Sequence, residues 1–417
     1  MVQLSSDAFA FGGDLMPVHA ALALVVETIP PVPETERVPL VEADGRFLAA
    51  DVFAPVNLPV FDNTAVDGYA VAHASLNAGV VTVLPVGARI AAGQAASGSV
   101  AADTAARIFT GAPMPPGTDT VFMQEDVVVR DDGRVELPPG LEKGANCRPK
   151  GEDIAIGSVA VPAGRRLEPR DIALLAALGV TDCAVRRRPR VAVFSTGDEL
   201  RNPGEALGEA AIYDSNRFSL MAMLKRAGAV VTDLGILADD RDITASRLED
   251  AAGQHDLVLT SGGVSTGEED HVRAAIAARG SIVFWRLGIK PGRPVAMGII
   301  NGTPLIGLPG NPVAVFVTFA HVLRPLVTAL AGGKPVPPVA MTVQAGFDYA
   351  KKPGRREYVR VSLEQRHGVT LALKYPVDGA GVLTSLTRTD GMVELPEDCT
   401  SVCAGDAVSF FAYSQLI

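Results

Sequence analysis

Short apolar runs and longer mixed segments alternate through the middle of the chain. Val191–Phe194, Val230–Leu234, Leu257–Thr260, Ile282–Trp285 and Pro304–Gly307 read as strands. Arg217–Ala227, Ile243–Ala252, Asp270–Ala278 and Pro312–Leu330 read as the helices between them. Strands separated by single helices predict a doubly wound parallel sheet. Upstream, Met16–Thr28 is a short apolar helix stopped by Pro30, Pro31 and Pro33, and a mixed segment, Val38–Asp51, follows it. Between Leu58 and Gly151, runs such as VVTVLPV alternate with Gly/Pro turns and predict a β-rich module. Helical spacing returns at Arg170–Leu178, and RRRPR (186–190) reads as a solvated connector. After AGGKPVPP, Val339–Ile417 reads as a small all-β unit.

Three architectures agree with the roughly 150 residues per domain expected for 417 residues. Hydrophobic residues at 48% and charged residues at 20% exclude extensive disorder. A formal charge of −10 argues against non-specific nucleic-acid or anionic-membrane binding, and requires any anionic substrate to meet locally gathered cations. The opening MVQLSSDAFAFGGDLM shows no signal-peptide pattern, and uninterrupted apolar runs fall short of the ~18–20 residues of a membrane helix. Four cysteines in this length are not a disulfide framework, so a cytoplasmic location with reduced thiols is expected. Cys399 and Cys403 have no second pair nearby, so ordinary packing is a better reading than zinc.

In a doubly wound sheet, ligands bind outside the carboxyl ends of the strands. Three distinctive segments fall there: Ser195–Leu200 (STGDEL), Ser261–His271 (SGGVSTGEEDH) and Leu308–Pro312 (LPGNP). Gly262, Gly263 and Gly267 with Ser261, Ser265 and Thr266 suit a phosphate or oxyanion cradle; a glycine-rich turn without ligand is the alternative. LPGNP has a mechanical explanation, Asn311 capping a helix that Pro312 begins, and a functional one, amides completing an anion site. Asp198, Glu199, Asp239, Asp240, Glu268, Glu269 and Asp270 also cluster at strand ends. Carboxylates beside a phosphate-favouring loop call for an intervening cation, and Mg²⁺ fits; Lys290 and Arg293 in RLGIKPGRP supply opposing charge. No G-x-S-x-G or H-E-x-x-H motif is present, the six histidines are scattered, and His271 reads as a capping or surface residue.

Eight segments in order resemble one family, the molybdopterin molybdenumtransferases (MoeA and the C-terminal part of gephyrin). They are FDNTAVDGYA (61–70), TGAPMPPGTD (110–119) with VFMQED, RPKGEDI (148–154), FSTGDEL (194–200), IYDSNR (212–217), SGGVSTGEEDH, IKPGRP (289–294) and GLPGNP (307–312). The resemblance implies a multidomain α/β plus β molecule. Its parts are a discontinuous N-terminal mixed domain (14–57 and 150–187), an inserted β-rich domain (58–149), the doubly wound domain (188–335) and a C-terminal β-barrel-like domain (336–417). It further implies a cytoplasmic homodimer with a shared active-site cleft. The implied reaction inserts molybdate into adenylylated molybdopterin with Mg²⁺-dependent phosphoanhydride cleavage and release of AMP. Asp67, Asp153, Glu199, Asp239, Asp270 and Lys290 match catalytic positions, with Glu199, Asp239 and Asp270 as Mg²⁺ ligands. Thr110, Arg148, Ser261, Gly262, Gly263, Ser265, Arg286 and Arg293 fall at substrate-binding positions, as do Pro309, Gly310, Asn311, Pro312 and Arg360. The sequence departs from the family at Arg286, where relatives often carry Lys, and at Ala380, where Ser is common. A molybdopterin adenylyltransferase and molybdoenzyme maturation proteins are the implied partners. Two other readings stay open: an adenylyltransferase on the same α/β domain type, and a non-enzymatic scaffold.

Overall fold

The computed structural model describes residues 15–94, 98–237, 241–262, 274, 276 and 280–417. Helix α1 (Val18–Thr28) starts two residues later than the apolar pattern does, because Met16 forms a parallel bridge with Leu287. Strand Thr35–Pro39 then pairs antiparallel with Asp182–Arg186, and Val38, Leu48, Leu175 and Val185 form a small core between them and α2 (Pro169–Ala177). At the start of α2 the Asp171 carboxylate accepts the Glu168 N–H at 3.0 Å, and Pro169 occupies the first turn, where its missing N–H is not needed.

Between these halves lies the β-rich module, a six-stranded sheet that includes Gly68–Val71, Thr82–Ile90, Ala105–Ile108 and Thr120–Met123. Gly68 is required by strand approach: a Cβ there would lie 1.7 Å from the Phe122 carbonyl oxygen.

The RRRPR run is not a solvated connector. The Arg186 guanidinium donates to the carbonyls of Val32 and Pro33, both at 3.3 Å. Arg187 is only 21% exposed and donates to both Asp256 oxygens, at 2.9 and 3.0 Å, and to Glu34 at 3.1 Å. Burial works to raise Asp256, but the Arg187 bonds outweigh it and hold the carboxyl below its usual range. The counter-charges lie far along the chain, so local charge density could not reveal them.

The central sheet contains β1 (Arg190–Thr196), β2 (Val230–Leu237), β3 (Leu257–Ser261), β4 (Gly280–Arg286), β5 (Pro294–Ile300) and β6 (Thr303–Leu308), ordered 2-1-3-6-5-4. The doubly wound architecture is borne out, with one difference: β5 runs against the other five. It turns into β6 through Asn301-Gly302, both at positive φ (50° and 84°), a two-residue hairpin connection. Side chains alternate strictly between faces. Val191, Val193, Leu257, Leu259 and Ile306 join α1, α3 (Asn216–Arg226) and α5 (Pro312–Leu330) in one cluster. Ala192, Phe194, Val258 and Leu305 join α4 (Arg241–Gln254) in another. Burial on both faces is why these strands read as continuous apolar runs. The expected helix Asp270–Ala278, with His271, falls largely outside the described residues.

Helix α5 (Pro312–Leu330) is the core helix of this region: its 19 residues are long and apolar enough to cross a membrane, yet 78% of it is buried within the protein. Its apolar run is interrupted by Thr318, His321, Arg324 and Thr328, as the short uninterrupted runs in the sequence led one to expect. Its Phe319–Leu323 turn widens to π geometry just before Pro325, which can donate no helical hydrogen bond.

The chain ends in a barrel. Strands β7 (Met341–Ala345), β8 (Arg356–Arg366), β9 (Val369–Lys374), β10 (Gly391–Leu395) and β11 (Ala407–Ala412) close in the order 8-9-7-11-10-8 around Val361, Ala372, Val393 and Phe410.

His321 of α5 lies between that helix and the barrel, its ring stacked on Tyr358 at 4.2 Å with Nε2 unpartnered. Burial, with Arg324 and Arg356 nearby, pushes its pKa down to about 3. The unfolded chain binds this proton near the ordinary 6.5, whereas the folded protein excludes it. The resulting stability is complete above pH 6.5 and drains as pH falls toward 3. At ~1.4 kcal/mol per pH unit, about 3 kcal/mol is gone by pH 4. His321→Phe keeps the stack and removes the proton, so urea unfolding at pH 7 and pH 4 should show the variant losing about 3 kcal/mol less than the parent on acidification. Equal losses would show that His321 is not the acid-sensitive group.

Candidate active site

Strands β1, β3 and β6 present their carboxyl ends side by side, and the three turns that follow them are tied together. Gly262 has φ +92°, and a Cβ there would lie 2.6 Å from the Thr196 carbonyl oxygen, so only glycine allows this approach. Its N–H donates to Leu308 O at 3.1 Å. Asn216, at the first residue of α3, donates to Ser261 Oγ at 3.0 Å and to Gly310 O at 2.7 Å, locking the second turn to the third. Asn216 was not among the sequence candidates, although it belongs to the IYDSNR segment. Beside them Glu199 is exposed and its carboxylate folds over Gly197, where a Cβ would meet Oε2 at 2.6 Å. Asp239, Gly263, Ser265 and Asp270 lie outside the described residues. Among the described residues, no group of three or more His, Cys, Asp or Glu is placed to hold a metal. The four cysteines are free thiols.

Asn311 occupies the N-cap position of α5 and Pro312 the first helical one, but the expected cap bond is not made by the Asn311 side chain. A neighbouring loop substitutes: the Val313 N–H donates to the Ala380 carbonyl at 3.0 Å. That amide is therefore unavailable to an anion, which leaves the Gly310 and Asn311 N–H groups and the Asn311 side chain for the functional reading of LPGNP. Ala380, one of the two departures from the family, acts here through its backbone.

A cleft of about 550 Å³ opens between this turn and the barrel. Lys290, Arg293, Pro309 and Asn311 line one wall; Tyr349, Arg355, Glu357, Arg360 and Lys374 line the other. Lys290 Nζ donates to Glu357 Oε2 at 2.9 Å and lies 3.4 Å from the Tyr349 hydroxyl, which itself donates to Glu357 Oε2 at 2.9 Å. Burial pulls Lys290 down, but the Glu357 carboxylate and Tyr349 outweigh it and hold the ammonium above its ordinary value. Glu357 is 1% exposed and its Oε1 accepts no hydrogen bond. Arg360 is buried, donating to Ser385 Oγ and Gly379 O, both at 3.1 Å; burial lowers its pKa from the usual arginine value. Five cations against Glu357 and Asp378 make this cleft locally positive within a chain of net charge −10. Tyr349, Arg355, Glu357 and Lys374 were missed from the sequence; the REYVR stretch that gave Arg360 already contains Glu357.

The remaining candidates sit elsewhere. Asp67 Oδ1 accepts the Thr110 N–H at 2.8 Å and its hydroxyl at 2.7 Å, bonds that hold the Asp67 carboxyl below the usual range. The pair is thus brought together from 43 residues apart. Arg148 lies in a short strand opposite Asn63, and Asp153 in the loop returning to Leu58; both are exposed. None of Asp67, Thr110, Arg148 and Asp153 lines the cleft of its own chain. The Arg286 backbone pairs with Pro294 in the central sheet, and its side chain is outside the described residues.

Comparison with known proteins covers nearly the whole chain. Residues 16–179 match the family model described as the MoeA N-terminal region (domain I and II), 192–329 a probable molybdopterin binding domain, and 342–413 the MoeA C-terminal region (domain IV). The chain is 34% identical to the molybdopterin molybdenumtransferase of Haemophilus influenzae over 97% of its own length and 100% of that protein's. It is 36% identical to molybdopterin molybdenumtransferase 2 of Mycobacterium tuberculosis, over 88% and 92% of the two chains. The crystal structure of a molybdopterin biosynthesis MoeA protein from Pyrococcus horikoshii superposes with a TM-score of 0.81 at 29% identity, covering 96% of this chain and 100% of that one.

Proposed function

The chain belongs to the MoeA family of molybdopterin molybdenumtransferases, enzymes of molybdenum cofactor biosynthesis, and we propose that it inserts molybdate into adenylylated molybdopterin, cleaving the AMP-pterin phosphoanhydride and releasing AMP. The observation that carries this reading is the cationic cleft. Molybdate is a tetrahedral dianion, and Lys290, Arg293 and Arg360 converge there from two parts of the molecule. Ser261, Gly262, Gly263 and Ser265 with the Pro309–Pro312 turn, which also borders the cleft, would hold the pterin or nucleotide phosphate. Glu199, Asp239 and Asp270 would hold Mg²⁺. Glu199, the described member, fits: it is a hard oxygen donor, exposed at a strand end, with no ion-pair partner among the described residues. Bound there, Mg²⁺ would neutralise phosphate charge. A cytoplasmic homodimer in which the partner's β-rich module closes the cleft would bring Asp67, Thr110, Arg148 and Asp153 to the substrate.

The test is release of AMP from adenylylated molybdopterin in the presence of molybdate. AMP should appear with Mg²⁺ and not with chelator, and Asp270→Ala should slow release by at least ~100-fold. Release unaffected by chelator removes the metal from the reaction; full activity of Asp270→Ala removes that residue from the metal site.

A further inference from the structure

A second cavity, about 430 Å³, lies apart from the cleft and shares no lining residue with it. Three guanidinium groups reach it from separate elements: Arg166 from the segment before α2, Arg226 from the last turn of α3, and Arg324 from α5. Arg166 Nη2 donates to Arg226 O at 3.0 Å, and Arg324 Nη1 to Gln415 O at 2.5 Å. Among the described residues none of the three is paired with a carboxylate, and no Asp or Glu lines the cavity. Elsewhere in this fold, in a chain with 47 acidic residues against 37 basic ones, arginines such as Arg187 and Arg217 are paired with acids. Three that converge on one cavity without an acid repel each other; burial, with Arg166 adding to it, depresses Arg324. Thr328 and Ser414 also border the cavity, and Pro325, Pro335 and Val336, the last 76% exposed, form its apolar side.

We propose that this cavity is a binding site for an organic phosphomonoester, its phosphate held by Arg166, Arg226 and Arg324 and its apolar body laid against Pro325, Pro335 and Val336. The forked N–H donors of arginine match phosphate oxygens, and a dianion relieves the mutual repulsion. A bare oxyanion would leave the apolar wall unfilled, and the volume falls within the ~300–1,000 Å³ of small-molecule sites.

Calorimetric titration of the full chain with phenyl phosphate and with inorganic phosphate tests the assignment. Phenyl phosphate should bind roughly tenfold tighter, the increment expected from burying its ring. Arg166→Gln/Arg226→Gln should weaken it about 100-fold, through loss of two charge-assisted contacts. Lys290→Gln, in the other cleft, should leave the binding component lost in the double variant unchanged. Both arginines are exposed, so folding is preserved, and Arg226→Gln alone should still weaken binding about tenfold. Equal affinity for the two probes would overturn the phosphomonoester assignment. Undiminished affinity in the double variant, loss of that same component in Lys290→Gln, or no heat with either probe would overturn the site itself.

Discussion

Lys290→Ala should slow AMP release by about 10²- to 10³-fold, the range seen when one preorganised electrostatic donor is removed from an active site. The ammonium has two roles in the proposed reaction. It presents positive charge to molybdate, and it neutralises Glu357, a carboxylate 2% exposed whose second oxygen accepts no hydrogen bond. Removing Lys290 therefore takes away the shorter ion pair of Glu357 and leaves Arg355, at 3.8 Å, to offset a buried carboxylate beside the incoming dianion. Its pKa is raised above the ordinary lysine value, so the cleft keeps this cation throughout the neutral range and the parent should show no activity loss there from Lys290 titration. The two roles separate in the double variant Lys290→Ala/Glu357→Gln. Recovery to near the parental rate would mean that Lys290 serves only to neutralise Glu357. A rate that stays low, with the KM for molybdate still raised, is the expected result and places the ammonium against substrate. Parental AMP release by Lys290→Ala alone would remove it from the site.

The parts of this molecule legible in the sequence are those determined by neighbours along the chain. Val191 and Val193 against Ala192 and Phe194 face opposite clusters, and that double burial made the strands visible as apolar runs. The glycine at 262 stands out in the sequence as part of a ligand cradle, and the structure adds a strand-end approach that no Cβ permits. Strand β5 is invisible to strand–helix alternation because no helix separates it from β6; Asn301-Gly302 is the local mark of that hairpin. The barrel wall of the cleft was missed for a different reason. Glu357 meets Lys290 across 67 residues, and nothing local distinguishes that carboxylate from a solvated one. The same limit misplaced RRRPR, whose partners Glu34 and Asp256 lie on other elements. Asp67 and Thr110 entered through family resemblance alone, because the bond that joins them spans 43 residues and leaves no local signal.

Asp214→Ala should destabilise the protein by about 3–5 kcal/mol, the range for leaving one member of a buried ion pair without its partner. The Arg217 and Asp214 side chains are 3% and 2% exposed, with Nε to Oδ2 at 2.9 Å, and the Arg217 N–H also donates to Asp214 Oδ1 at 3.1 Å. Arg217 further bonds Asp233 and Asn202, so one guanidinium joins the start of α3 to β2 and to the turn after β1. Burial works against its charge and the two carboxylates more than restore it. With Asp214 gone, the counter-charge that remains among the described residues is Asp233, itself 40% exposed. Asp214→Leu/Arg217→Met removes both charges, so it should lose less stability than Asp214→Ala alone. Urea denaturation of the three proteins measures this order. Its inversion, or a loss below about 1 kcal/mol for Asp214→Ala, would show that the pair is solvated rather than buried. The site should register the change as well. Asn216 sits two residues beyond Asp214 and holds Ser261 and Gly310 together. Loosening the start of α3 should therefore raise the KM for the pterin substrate even where Asp214→Ala remains folded.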